Sequence, residues 1–257
     1  MSVRLLGVFA HPDDQALLCG GTLARYADGG ADIVTVCLAG AGADRGSTIA
    51  SAHRLGIRDV IVTDYASGEL PERGTELDAI CIDLLRSLQP DVVITFGPDG
   101  MNREQDHLAV HASMARAFFS LDRGRRSTSP LTKLYYGAWP QQHLRRALGA
   151  LRARGVSTDF VPDLERWGTP DSSVTTIIDV GGQLDRKLAA ILDQSPPSSP
   201  SPFRNLSGDM LADLWGHEFY RRAYPDPWVT GVIERDLLRG LATRPLGASA
   251  QDTAKAS

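Results

Sequence analysis

The residues best suited to chemistry come early in the chain: Ala10-His11-Pro12-Asp13-Asp14-Gln15 sets one imidazole beside two carboxylates. Imidazole and carboxylate together suit a borderline cation such as zinc, and a spare neighbouring carboxylate can take a proton from a water on such an ion. A second stretch, Gly97-Pro-Asp-Gly-Met-Asn-Arg-Glu-Gln-Asp-His-Leu-Ala-Val-His111, offers Glu104, Asp106, His107 and His111. His107 and His111 share one helical face, with Asp106 adjacent and Glu104 one turn earlier. Each stretch alone has a blander reading, in which acidic residues at a helix start cap free N–H groups and complement the dipole. Taken together they favour a site, because a zinc centre made of His11, Asp14 and one histidine of the second stretch draws on both.

The elements that must position these groups follow from periodicity. Residues 3–9 read as a short buried strand, and residues 14–28 carry Leu17, Leu18, Thr22, Leu23 and Tyr26 at helical spacing up to the stop at Gly29-Gly30. His11 to Asp14 thus occupy a strand-to-helix turn, the place where open α/β sheets hold ligands. Gly20-Gly21 inside the helix lowers its propensity and calls for close packing against the sheet or a ligand. Strands are expected at 32–38, 59–63, 91–96, 133–139 and 173–180, and helices at 47–55, 76–88 (with Thr75 as its cap), after residue 104, and at 141–154 and 184–192. The second stretch begins where the fourth strand ends. This alternation predicts an α/β fold: a Rossmann-like, mostly parallel sheet with helices on both faces and an elaborated C-terminal part. One domain is expected over residues 1–243, with loops at 121–130 and 195–202 and a disordered tail at 244–257. The aromatic-rich segment 211–224, with His217, reads first as packing and second as the lining of a site.

Composition narrows the partners. A net charge of −4 over 257 residues leaves no general basic footprint, so no nucleic-acid partner is expected, and the basic cluster at 145–154 reads as a solvated helix face. Cys19, Cys37 and Cys81 follow no zinc-finger spacing and sit among apolar neighbours, as buried reduced thiols do. No signal pattern and no run of about 18 apolar residues is present, so a soluble, cytoplasmic chain without a membrane partner is expected. A homo-oligomer is left open. The loop at 39–46 holds Gly40, Gly42 and Gly46 but not the Gly-x-Gly-x-x-Gly spacing. A nucleotide-binding reading of that loop leaves both acid-and-histidine turns unexplained; a flexible rim from which Arg45 reaches a polar substrate accounts for more.

At its two chemical stretches the sequence resembles the PIG-L/LmbE-like zinc-dependent N-deacetylases. Their members carry Ala-His-Pro-Asp-Asp-Glu after the first strand and Gly-Pro-Asp-Gly…His-Pro-Asp-His after a later one. The similarity runs on through Gly20-Gly21-Thr22-Leu23, Leu55-Gly56, Asp193-Gln-Ser195 and Pro202-Phe-Arg-Asn-Leu206, and so spans most of residues 3–225. It implies that His11, Asp14 and His107 bind zinc, with water on the open position, that Asp13 is the general base, and that Asp106 orients a neighbouring site histidine. His111 stays a helix-face residue. The implied reaction frees acetate and an amine from an N-acetylated amino sugar or its glycoside, with Arg45 among the substrate contacts. The residue types also admit other divalent ions, among which geometry and availability decide.

Three departures from the family pattern stand out: Gln15 in place of Glu, Asp193 in place of a histidine before a Ser-Gln pair, and Glu104 at the first histidine of His-Pro-Asp-His. That histidine is implied in steadying the tetrahedral intermediate and protonating the leaving amine. A protonated Glu104 can donate a proton as a catalytic acid; an ionised one repels the developing oxyanion, and losing such stabilisation costs ~10²–10³ in rate. The alternative expectation is therefore a catalytically impaired or divergent zinc- and sugar-binding member of the same fold.

Overall fold

In the computed structural model, which describes residues 3–122, 133–159, 161, 167–194, 203–204, 206–226 and 232–241, the apolar runs become the middle of a seven-stranded sheet. In chain order the elements are β1 (Arg4–Phe9), α1 (Asp14–Asp28), β2 (Asp32–Cys37), α2 (Arg45–Arg54), β3 (Asp59–Val62), α3 (Gly74–Leu88), β4 (Val92–Phe96), a short α4 (Gly100–Arg103) and α5 (Gln105–Asp122). Then follow β5 (Lys133–Ala138), α6 (Gln141–Ala153), β6 (Thr176–Asp179), α7 (Leu184–Asp193), α8 (Gly208–Trp215) and β7 (His217–Tyr224).

The sheet order is β3-β2-β1-β4-β5-β7-β6, parallel through β5, with β7 antiparallel to both of its neighbours. The chain winds outward from β1 through β2 and β3, then returns to lay β4 on the other side of β1. This reversal opens a crevice at the carboxyl ends of β1 and β4. Right-handed crossovers place α1 and α2 on one face and α3 and α5 on the other. α7 packs on α1 and α2, and α3 packs on α5. With both faces covered, β1 and β4 need continuous apolar runs, and Leu5, Leu6, Val8, Phe9, Val92, Val93, Ile94 and Phe96 are all buried. Gly7 pairs with Ile94, so Phe9 lies level with Phe96, the rings edge to face at 5.9 Å.

The Gly20-Gly21 pair is explained by the sheet and by a buried carboxylate, not by a ligand. α1 is bent at Cys19 (φ −144°, ψ 17°), and beyond the bend the Gly21 and Thr22 amides donate to Glu218 Oε1 and Oε2 at 2.8 and 2.7 Å. Lys187 Nζ donates to the same carboxylate at 2.6 Å. A side chain at Gly21 would place its Cβ 2.6 Å from that of Val180. Gly21 is thus the contact point between helix and sheet edge.

Two expectations need correction. α3 begins at Gly74, and Arg73 occupies the cap position without a side-chain cap bond, so Thr75 lies inside the first turn and caps nothing. Segment 211–224 is not merely packing: it is the end of α8 and then a full strand, β7. Its alternation is hidden because two buried positions carry charges, Glu218 paired with Lys187 and Arg222 paired with Glu234. The three cysteines are free and buried, as expected. No helix among the described residues is long and apolar enough to cross a membrane. Residues 123–130, the Pro-rich 195–202 and the tail 244–257 lie outside the described residues.

Candidate active site

Between β1 and α1 the chain has four residues in which to turn. The His11 N–H donates to Asp14 Oδ2 at 2.6 Å, which folds the Asp14 carboxylate back towards the imidazole, whose Nδ1 is 3.5 Å from the same oxygen. Asp106, fully buried in the first turn of α5, meets His11 Nε2 at 3.1 Å and also accepts the amides of Gly68 (2.6 Å) and Leu70 (3.2 Å). An imidazole whose Nε2–H is taken by a carboxylate presents its lone pair at Nδ1, on the Asp14 side. Asp106 therefore orients His11.

The loop after β4 does the same for His107. Gly100, Met101 and Arg103 all have positive φ (57°, 64° and 61°), a conformation that costs of order 1–3 kcal/mol for a non-glycine residue. Asp99 holds the loop by accepting the Met101 amide and the Thr169 hydroxyl. This shape turns the Gly100 carbonyl onto His107 Nδ1 at 3.0 Å, while Phe96 stacks on the ring at 4.0 Å and 10°. Nε2 is left with the lone pair. It lies 3.2 Å from Asp14 Oδ1 but out of line for a hydrogen bond, buried and without a partner.

The ligand atoms of His11, Asp14 and His107 lie within 4.8 Å of one another. Two ligands on a single tetrahedral zinc, each bonded at 2.0–2.1 Å, stand about 3.3 Å apart. The 3.2 and 3.5 Å separations here match that span. The orphaned Nε2, the donor set and the orientation of each imidazole through its other nitrogen all fit a divalent ion.

Electrostatics supports the same grouping. Burial pushes the Asp14 carboxyl up, but the His107 and His11 imidazoles beside it outweigh burial and hold it at about 2. Its hydrogen bond to Asp14, against burial, lifts His11 to about 9. Burial first, then the Asp14 charge, raises the Asp13 carboxyl above the ordinary range. Without an ion, His11 carries a proton at neutral pH that a cation must displace. Cation uptake near pH 7 is thus expected to release this proton, and apparent affinity to climb with pH up to about 9. Calorimetry in buffers of different ionisation enthalpy checks this; affinity that does not change between about pH 6 and 8 contradicts it.

Asp13 stands at the cap position of α1 yet makes no side-chain cap bond, so the capping reading fails for it. It succeeds for Glu104, whose Oε2 accepts the His107 amide at 2.9 Å while lying 3.6 Å from His107 Nε2. His111 pairs with the Phe96 carbonyl at 3.0 Å and packs edge-on to Tyr136, outside the cluster. Arg45 opens α2 but reaches Asp64 at 2.6 Å, an exposed pair at the rim and not a partner of the cluster. Gln15 is buried and accepts the Thr35 hydroxyl at 2.6 Å. Sequence reasoning missed Ser67, whose Oγ is 3.2 Å from His11 Nε2, the Gly68 amide, and the Phe96 stack. Ser67-Gly68 carries a visible signal, a turn pair following β3 at the same carboxyl edge.

The profile of the PIG-L family, described as GlcNAc-PI de-N-acetylase, matches residues 6–118. A 1D-myo-inositol 2-acetamido-2-deoxy-alpha-D-glucopyranoside deacetylase of Acidothermus cellulolyticus is 31% identical over 263 residues, covering 84% of this chain and 87% of the relative. The chain belongs to the PIG-L family. It is an N-deacetylase, and the deacetylases of the PIG-L family depend on a metal. Among solved structures, the N,N'-diacetylchitobiose deacetylase of Pyrococcus horikoshii superposes with a TM-score of 0.57 at 17% identity, covering 85% of this chain and 83% of the other. The 4-carboxy-2-hydroxymuconate hydratase of Pseudomonas putida superposes with a TM-score of 0.58 at 18% identity, over 87% and 97%. A hydratase on the same scaffold means that the fold alone does not fix the reaction of a PIG-L-like chain, and that the site must.

Proposed function

We propose that this chain hydrolyses the acetamide of an N-acetylglucosamine carried as a glycoside on an inositol-like polyol, with zinc held by His11, Asp14 and His107. The observation that carries this reading is the buried, unpartnered His107 Nε2 beside Asp14, with both imidazoles oriented through their other nitrogens. The names of the relative and of the family profile, each an N-acetylglucosaminyl-inositol compound, support the substrate class.

Zinc, when bound, polarises the amide carbonyl and makes water more acidic. Asp13, free of capping duty, takes the proton of the attacking water as its oxygen bonds to the carbonyl carbon. As the C–N bond breaks, Asp13 returns that proton to the amine nitrogen, leaving acetate and a free amine. The raised carboxyl of Asp13 suits a group that must both accept and give a proton. Asp106 acts through His11, and Arg45 stands at the rim where the sugar's polyol would project.

The test joins elemental analysis of the purified protein to amine release from N-acetylglucosaminyl-inositol, free N-acetylglucosamine and other N-acetyl glycosides. About one zinc per chain is expected, with amine released from the inositol glycoside, lost on chelation and restored by zinc. No zinc uptake when zinc is supplied, or no amine from any of these compounds, overturns the proposal.

A further inference from the structure

The loop after β4 holds two residues other than glycine at positive φ, Met101 at 64° and Arg103 at 61°. Glycine adopts this conformation freely, whereas any other residue is strained there. At Met101 packing offsets the strain, because the side chain is buried in the core. Nothing comparable offsets it at Arg103. The residue is exposed, and among the described residues its guanidinium has no ion pair or hydrogen bond. Its backbone is engaged, the N–H donating to the Asp99 carbonyl at 3.0 Å and the carbonyl accepting from Gln105 Nε2 at 3.3 Å, but glycine would make both of those bonds. The shape of the loop thus favours glycine at 103, and the use of the arginine side chain lies outside the fold. Its place in the chain says where. Arg103 directly precedes Glu104, whose Oε2 lies 3.6 Å from the unpartnered His107 Nε2, so the guanidinium is tethered at the rim of the site. Arg45, by contrast, is already tied to Asp64.

We propose that Arg103 binds an oxyanion on the aglycone of the substrate, a phosphate or a carboxylate, and so selects charged glycosides over neutral ones. The proposal rests on the substrate reading above and narrows it. A guanidinium presents paired N–H donors in one plane, which match two oxygens of a phosphate or carboxylate, whereas a hydroxyl offers one. Asp13, Asp14, Glu104 and Asp106 crowd the interior with carboxylates, so an anionic substituent is repelled from the centre and drawn to the unpaired cation at its edge. That sets the orientation, with the acetamide inward and the charged aglycone outward. The loop is braced by Asp99, which accepts the Met101 amide and the Thr169 hydroxyl, so the cation is offered from a fixed point and less freedom is lost on binding.

The experiment measures amine release by the zinc-loaded full-length protein from three substrates: N-acetylglucosaminyl-inositol, the same glycoside phosphorylated on the inositol, and N-acetylglucosaminyl-glucuronate. The parent is expected to show a kcat/KM at least about tenfold higher for an anionic substrate than for the neutral one, the worth of a charge-assisted hydrogen bond. The gain should lie in KM and shrink as salt is raised. Which anionic substrate gains tells phosphate from carboxylate. In Arg103→Gly and Arg103→Gln the KM of the favoured substrate is expected to rise until the preference is gone. Arg103→Gly should also melt no lower than the parent, since it removes a strained residue and no contact; Arg103→Gln keeps the strain and removes only the charge. Equal kcat/KM for all three substrates in the parent, or a preference that survives in both variants, overturns the proposal. So does a clear drop in the melting temperature of Arg103→Gly, which would give the side chain a structural use. No amine from any substrate overturns the substrate reading and this proposal with it, whereas amine released without discrimination overturns this proposal alone.

Discussion

Replacing Asp13 by alanine is expected to lower kcat by about 10²–10⁴, the usual worth of a positioned general base, while the bound metal stays. The reason lies in how the turn divides labour between adjacent carboxylates. Asp14 is buried, tied to the His11 amide, and faces both imidazoles, so in the zinc reading proposed above its loss removes a ligand. Asp13 has no such ties: it sits beside the cluster, makes no cap bond, and its carboxyl is raised by burial and by Asp14. Steady-state kinetics with metal analysis on Asp13→Ala and Asp14→Ala should therefore split cleanly, the first losing kcat with metal retained, the second losing metal. Metal lost from Asp13→Ala, or turnover retained, would assign the base elsewhere.

Glu218→Ala is expected to destabilise the fold by about 3–5 kcal/mol, because it strands the buried Lys187 ammonium. It also leaves the Gly21 and Thr22 amides without acceptors. For a chain of this size the melting temperature should drop by roughly 6–20 °C. Lys187 lies over the Trp215 ring at 5.4 Å, so its stem is already in apolar surroundings. The double variant Lys187→Met with Glu218→Leu should regain part of the loss by removing the stranded charge. It should not regain all of it, since the two amides stay unpaired. Thermal melts of the single and double variants measure this; a single variant within about 1 kcal/mol of the parent, the size of an ordinary substitution, contradicts it.

The middle of the parallel half was legible because β1, β2 and β4 are buried on both faces and read as largely apolar runs ended by glycine or a polar turn. α1 in particular begins and ends where its spacing said it would. The grouping of the candidate site was legible for a related reason: at the end of such a run, His11 with Asp14 and Asp106 with His107 have no role in an apolar core, and the structure brings them together. β7 was not legible, because a strand whose inward residues include Glu218 and Arg222 inverts the usual pattern, and only the partners Lys187 and Glu234, distant in sequence, make it sensible. The Thr75 cap failed because the turn Leu70–Arg73 already leads the chain into the helix. The aim of Arg45 towards Asp64, and the positive φ at Met101 and Arg103, depend on contacts between loops that no local pattern encodes.

The bend in α1 has a consequence for the order in which the enzyme can be made. His11, Asp13, Asp14, Glu104, Asp106 and His107 have all been synthesised by residue 107, yet the carboxylate that receives the Gly21 and Thr22 amides is residue 218. At ~5–20 residues per second, the second half of the chain takes roughly 5–20 s to follow. Through that interval the residues proposed to hold the ion are all present while α1 lacks the partner of its Gly21 and Thr22 amides. The helix that opens with Asp14 is thus completed by a strand, β7, that supplies none of the site's side chains.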